Sequence, residues 1–344
     1  MQKASPTMEE WNELYQAAIA FKKIGCWDWM EDSDLFGVQN PETGEIGYCC
    51  VLGALGEVFG LVVYIGTKGL QGHLKIQSGE IVMDDFDPLF FQDCLMASFD
   101  ERKFLNKPDL QIIKSLRLSF RGSNAWPLFR RYEPGYEPWY VNREEAIFLT
   151  HALVQAKEVA LRFEKNPDLF DPPEEHHYLV RVPIREKETW VWRDEWLKPA
   201  PLEKKEPMVP RVDEIRLLRI QKSASRSQAI LETDFFFIPF AIAEGERPYF
   251  PYLQLCVEHQ SGMILKFHVS KHERYRADFQ NQILTLMEEV NIYPKEIRVK
   301  KEEALRLLEP VASKLGIKLT LSEHLPALEE AKEEMLNMMT GRME

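Results

Sequence analysis

Between Asn40 and Leu70 the chain reads NPETGEIGYCCVLGALGEVFGLVVYIGTKGL, a stretch that holds seven of its seventeen glycines. Its apolar residues run almost unbroken from Tyr48 to Ile65. Glycines and Glu57 interrupt that run, so it reads as buried strands and not as a membrane span. We expect it to form the central strands of the N-terminal half, with helices packed around them. A phosphate-cradling loop needs GxxxxGK[ST] or GxGxxG, and neither spacing occurs here. Tight turns and close backbone packing account for the glycines.

Two domains are the natural expectation for 344 residues. With 45% apolar and 28% charged residues, the chain has the composition of a folded globular protein. Five cysteines, Cys26, Cys49, Cys50, Cys94 and Cys256, show no CxxC spacing. Reduced buried thiols are therefore expected, with no disulfide framework, zinc site or cofactor. The start, MQKASPTMEEW, has no apolar core segment, which predicts no secretory leader, no membrane anchor and a cytoplasmic location. The formal charge of −12 disfavours nucleic acid as the main partner, although a local basic patch remains compatible with it.

In chain order, Thr7 and Glu10 form a capping box for a helix whose inward face is Trp11, Leu14, Tyr15, Ala18 and Phe21, with Gly25 as its stop. Asp87 and Pro88 open an expected helix through DPLFFQDCLMASFDERKFL. A shorter helix, KPDLQIIKSL, follows. An irregular loop rich in arginine and aromatic residues then runs to Asn142, which caps a long amphipathic helix with Glu145. HHYLVRVPIREKETWVWRDEW alternates with period two and reads as a hairpin turning at Arg185 to Glu188. Four prolines between Pro199 and Pro210 mark a semi-rigid linker, and all eight tryptophans lie at or before Trp196. The expected organisation is an N-terminal α+β domain over 1–197, a Pro-rich linker over 198–213 and an α/β domain over 214–344. In the last, ETDFFFIPFAIA, YLQLCVEHQ and MILKFHVS read as strands, followed by helix, strand, helix, strand and helix.

That βββαβαβα order resembles the ribonuclease H-like fold, over roughly Ile230 to Met339. Active members of that fold hold two metal ions with acids inside the first strand and near the end of the fourth. Here FFFIPFAIA has no internal acid, Glu232 and Asp234 precede it, and the fourth strand runs into Lys300 and Lys301. The resemblance therefore implies a non-catalytic version. A second similarity spans almost the whole chain. EEWNELYQAA, DLFGVQNPETGEIGYCCVLGALGEVFGLVVYIG, FRGSNAWPLFRRYEPGYEPW and EIRVKKEEALRLLEPVASKLGIKL resemble an uncharacterised bacterial two-domain family. Both halves of that family are domains of unknown function, so it implies no catalytic residues.

The first candidate site is the arginine-aromatic loop, with Arg121, Trp126, Arg130, Arg131, Tyr136 and Trp139 as ligand or partner residues. Arg117, Tyr132 and Tyr140 accompany them. Guanidinium groups pair with carboxylate or phosphate, and aromatic rings offer stacking faces. Internal pairing of the arginines and core packing of the aromatics is the plainer alternative. The acids Asp28, Glu31, Asp32 and Asp34, with Asp84, Asp85 and Asp87, lack the spacing of a calcium loop and read as solvated. A predicted hairpin allows His259 and His268 to approach, near Glu258 and His272, but Glu258 and His259 point to opposite faces, His176 and His177 likewise diverge, and a structural or surface role is the favoured reading. No GxSxG elbow is present. Cys49 and Cys50 lie in an apolar run, where a thiolate facing His151 is disfavoured. The reading is of a non-enzymatic binding or interaction protein with an unidentified protein or small-molecule partner and no catalytic or metal residues. A divergent metal-dependent nuclease or phosphohydrolase using the C-terminal acids is the alternative.

Overall fold

The glycine-rich stretch forms the middle of a seven-stranded sheet. A computed structural model describes residues 4–79, 92–202 and 210–340, and the chain divides into two compact units, Met1–Glu203 and Lys204–Glu344. The strands of the first unit are β1 (Phe36–Gln39), β2 (Ile46–Leu52), β3 (Phe59–Ile65), β4 (Cys94–Asp100), β5 (Trp126–Tyr132), β6 (Tyr178–Glu186) and β7 (Thr189–Leu197). They lie in the order β5-β4-β3-β2-β1-β6-β7, antiparallel throughout except between β1 and β6.

Helices α1 (Met8–Ile24), α3 (Lys107–Ser115) and α4 (Arg143–Phe163) cover one face of this sheet, and α2 (Gly66–Gln77) packs on the other. The caps read from the sequence are present: Thr7 with Glu10 opens α1, Asn142 with Glu145 opens α4, and left-handed Gly25 ends α1. Strand alternation then sorts the side chains. Cys49, Val51, Leu61 and Val63 face α1 and α4, and Cys50, Val62 and Tyr64 face α2.

Three expectations are corrected. Cys94–Asp100 is a strand and not part of a helix; Leu95, Met96 and Ala97 suit a helix locally, but pairing with β3 and β5 on both sides decides the outcome. Asp87 and Pro88 lie outside the described residues. The arginine-aromatic loop contains β5, an alternating strand whose proline, Pro127, stands near its start. GTKGLQGHLKIQ, at the end of the glycine-rich stretch, is helix α2 and not strand.

In the second unit α5 (Glu214–Ser223) precedes β8 (Ser225–Arg226), β9 (Ile230–Phe237), β10 (Tyr252–Glu258) and β11 (Ile264–Ser270). Then follow α6 (Tyr275–Val290), β12 (Ile292–Tyr293), β13 (Glu296–Val299), α7 (Glu302–Leu315), β14 (Lys318–Leu321) and α8 (Pro326–Thr340). Five strands form one mixed sheet in the order β11-β10-β9-β13-β14, and β8 pairs with β12 apart from it. β9, β10 and β11 are antiparallel neighbours, whereas β9, β13 and β14 run parallel. Leu231, Phe235, Cys256, Ile297 and Val299 meet α5, α6 and α7 on one face. Phe236, Leu253, Leu255 and Val257 meet α8 on the other. Residues 203–209 of the expected linker lie outside the described residues.

The glycines act through close approach. A Cβ at Gly60 would sit 2.5 Å from the Ala97 carbonyl oxygen and 3.0 Å from Ser98 Cα, both backbone atoms of β4. Neither can move without breaking the β3–β4 ladder. Gly60→Ala should therefore lower stability by about 2–3 kcal/mol, as overpacking of a rigid interior does. Urea unfolding of the whole chain measures this, and an unchanged midpoint would contradict it.

Candidate functional site

Strand β9 begins at Ile230, two residues before ETDFFFIPFAIA, and the correction falls on the ribonuclease H-like comparison, which started its first strand at Phe235. Ile238 and Pro239 lie beyond its end, because proline cannot donate to the ladder of a central strand. The strand instead takes in Glu232 and Asp234, so both acids are internal to it. Two positions apart, with only Thr233 between them, they point to the same face, the one covered by α8. Both are buried, Glu232 completely.

Each carboxylate is held by a segment that opens a helix. Glu232 Oε2 accepts from the Leu328 amide in the first turn of α8 at 2.9 Å. Asp234 Oδ2 accepts from the Lys300 and Lys301 amides, which lead into α7, at 2.9 and 3.0 Å. Unsatisfied amide groups and the positive dipole end both favour an anion there. The other oxygens are also engaged. Asp234 Oδ1 accepts from the Phe235 amide at 2.7 Å, and Glu232 Oε1 lies 2.5 Å from His259 Nδ1.

Cations complete the arrangement. Arg298, registered beside Glu232 on β13, reaches His259 Nε2 at 3.3 Å and Glu296 Oε1 at 3.3 Å. Thr320 and Lys318 donate to the same Glu296 oxygen at 2.9 and 3.2 Å. Burial pushes the Glu296 carboxyl up, but the hydrogen bonds from Thr320, Lys318 and Arg298 outweigh it and hold it below the usual glutamate range. Lys301 Nζ donates to the Phe235 carbonyl and lies over the Phe235 ring at 4.8 Å. Burial raises Asp234 above the ordinary aspartate range, against the opposing pull of Lys301 and the three amides.

Polar groups of the second unit thus meet one another. Glu232, His259, Arg298 and Glu296 form one connected network, with Asp234 and Lys301 beside it. His259 and His268 do not pair with one another, in keeping with a structural role for each. His268 lies opposite Gln254 in the ladder and reaches Asp278, whereas His259 reaches Glu232. Among the described residues, no group of three or more His, Cys, Asp and Glu side chains is placed to hold a metal ion.

In the first unit, β5 sends its two adjacent arginines to opposite faces. Arg130 is buried and makes a fork to Asp109, at 3.0 and 2.7 Å, with its guanidinium 4.6 Å over the Tyr140 ring. Arg131 pairs with Asp93 and lies 3.5 Å from Glu145. Trp126 is half-buried against Phe120, with Arg102 over its ring. Trp139 exchanges backbone hydrogen bonds with Arg131, and Tyr136 closes a turn to Glu133. Arg117 and Arg121 are exposed and form no ion pair among the described residues. Between Arg102 and Arg131 the chain has eight basic residues and one acid, Asp109, which Arg130 neutralises. Arg102, Lys103, Lys107 and Lys114 thus extend the candidate surface, although sequence reasoning passed over them.

The remaining candidates stay apart. Asp28, Glu31 and Asp32 are exposed, and Asp34 accepts from the Glu31 amide within a turn; Asp84, Asp85 and Asp87 lie outside the described residues. All five cysteines are free and buried. Burial pushes the Cys26 and Cys94 thiols up to about 12 and Cys256 to about 11, and raises Cys49 and Cys50 as well. His151 stands beside Trp192, and burial lowers its pKa. No described helix is long and apolar enough to cross a membrane.

The geometry defines a two-unit protein in which the two acids of β9, Glu232 and Asp234, are bound up in the fold. Residues 11–181 match the model of a domain of unknown function (DUF7309), and residues 216–336 match a second (DUF6930). The chain belongs to a family with two domains of unknown function, one in each half. No curated protein matches it. Among solved structures, the catalytic core domain of BIV integrase aligns at 16% identity, over 34% of this chain and 75% of that one, with a TM-score of 0.26. A likeness of that size carries no argument.

Two substitutions test the buried pairs. Arg130→Met leaves the Asp109 carboxylate unpaired in the interior and should cost about 3–5 kcal/mol, whereas adding Asp109→Leu should restore much of the loss. Equal losses in the single and double variants, by urea unfolding, would contradict this. For Asp234 the folded state holds its proton more tightly than the unfolded chain. Its contribution to stability is therefore present at acid pH and is lost as pH rises from the ordinary value near 3.8 through the raised folded value. The stability advantage of wild type over Asp234→Asn should shrink across that window, and an advantage that grows with pH would reverse the assignment.

Proposed function

We propose that this is a non-enzymatic, cytoplasmic binding protein that engages an anionic partner through the segment from Arg102 to Arg121. The observation that carries this reading is the charge of that segment. It concentrates Arg102, Lys103, Lys107, Lys114, Arg117 and Arg121 in a chain of formal charge −12, and its one acid is buried against Arg130. Helix α3 spans nine residues, about 14 Å at the usual rise, so its two lysines and the flanking cations share one short stretch of surface. Exposed Phe104 and half-buried Trp126 add apolar contact beside the charge. Carboxylate or phosphate groups are the chemistry such a surface accepts. Five free, buried thiols favour a reducing compartment.

We read the second unit as a ribonuclease H-like domain in a non-catalytic form. Its five-stranded order, with three antiparallel strands followed by two parallel ones, supports that assignment. The placement of Glu232 and Asp234 inside the first strand favours the alternative of a metal-dependent nuclease or phosphohydrolase. It weighs less because all four carboxylate oxygens already accept from protein donors.

Retention on a polyanionic resin tests the binding surface. A chain with this net charge is held there only by a local basic patch. Wild type should be retained at low salt, and Lys114→Glu combined with Arg117→Glu and Arg121→Glu should pass through. Flow-through of wild type, or unchanged retention of the triple variant, would remove the basis of the proposal.

A further inference from the structure

Among the groups gathered around Glu232, the ring of His259 is the one whose proton the contacts decide. Its place is set by the backbone. The His259 amide donates to the Ile230 carbonyl at 3.0 Å, one residue past the end of β10, so the ring stands beside the start of β9. There Nδ1 lies 2.5 Å from Glu232 Oε1, and Nε2 lies 3.3 Å from Arg298 Nη1.

A guanidinium group has donors and no acceptor. The Nε2 atom that faces it must therefore accept, and carries no proton. An imidazole keeps at least one N–H, so the proton is on Nδ1 and is donated to the Glu232 carboxylate. The contacts thus select a neutral ring of one tautomer, held between a buried anion and a cation. Other charges reach the ring only at one remove. Glu296 on β13 acts through Arg298, and Lys318 on β14 acts through Glu296. The Glu258 carboxylate, on the preceding residue, accepts from the Gln260 and Ser261 amides at 3.1 and 2.7 Å. Helix α8 contributes the Leu328 amide to Glu232, and its Glu329 pairs with Lys300.

We infer that His259 is an acid-released latch: a second proton, taken at Nε2, ends its contact with Arg298 and leaves that arginine to Glu296. The His259 and Arg298 side chains are each 28% exposed, so protons from solvent reach Nε2. Glu232 is completely buried and fixed by the Leu328 amide, and the ring is fixed by its own backbone. Arg298, long and partly exposed, is the group that moves. In the step, one solvent proton adds to the Nε2 lone pair while Nδ1–H stays on Glu232. An anion, a neutral ring and a cation become an anion and two cations, and the neutral contact to Glu232 becomes an ion pair. Strand β9 lies between β10 and β13, so losing the contact unties a side-chain link between its two neighbours. The latch belongs to the second unit and does not depend on the basic segment of the first.

Nitrogen-15 correlation spectra of the histidine rings in the intact chain test the inference, recorded from about pH 8 to about pH 5, the range in which imidazole changes charge. The His259 ring is assigned by its loss in His259→Gln. At the alkaline end, wild type should show Nδ1 protonated and Nε2 bare. On acidification Nε2 should gain its proton, and the Arg298 Nε signal should shift with the same midpoint. Arg298→Gln removes the cation and offers Nε2–H an acceptor, so its midpoint should lie at higher pH than that of wild type; circular dichroism checks that the variant is folded. A proton on Nε2 in alkaline wild type would overturn the inference. So would a ring that gains no second proton, an Arg298 signal that stays fixed while the ring titrates, or a midpoint that Arg298→Gln leaves unchanged.

Discussion

Two carboxylates on one central strand, each occupied by the start of a helix, organise the second unit. Burying an acid without partners costs several kcal/mol, so Glu232 and Asp234 are tolerated only because other groups converge on them. The Leu328 amide fixes where α8 begins, and the Lys300 and Lys301 amides fix the approach to α7. The two helices that follow the parallel strands are thereby tied to the same central strand. Arg298 and His259 then link Glu232 to Glu296 and the outermost strand. Charge that would be free in an open cleft here serves to place secondary structure.

The first unit uses buried charge in the same way. Asp109 closes the start of α3 by accepting from the Asn106 amide, and its two oxygens also receive the Arg130 fork. One side chain thus joins a helix to an edge strand. Around this pair the glycine-rich strands bring backbones close enough that Gly60 leaves no room for a methyl group. The solvent-facing cations of the same region are what remains after Arg130 and Arg131 have been used internally.

Much of this was legible in the sequence wherever a local device decides the structure. The capping boxes at Thr7 and Asn142, the stop at Gly25, and the alternation through β6 and β7 each act over a few residues. What escaped depends on partners far apart in the chain. Cys94–Asp100 has helix-compatible residues and becomes a strand because β3 and β5 flank it. Asp234 and Lys300 are 66 residues apart, so no spacing rule joins them. One error was local in form: ETDFFFIPFAIA reads as strand, but starting it at Phe235 in the ribonuclease H-like comparison left Glu232 and Asp234 outside it. The fork from Arg130 to Asp109 was legible only as a general alternative, since the arginine could be seen and its partner could not.

The central claim is that the acids of β9 are committed to helix starts and internal cations. Calorimetric titration of the intact chain with Mn²⁺ tests it most directly. The account predicts no saturable binding, and the same flat titration for Asp234→Asn. Stoichiometric uptake of Mn²⁺ by wild type that is lost in Asp234→Asn would contradict it.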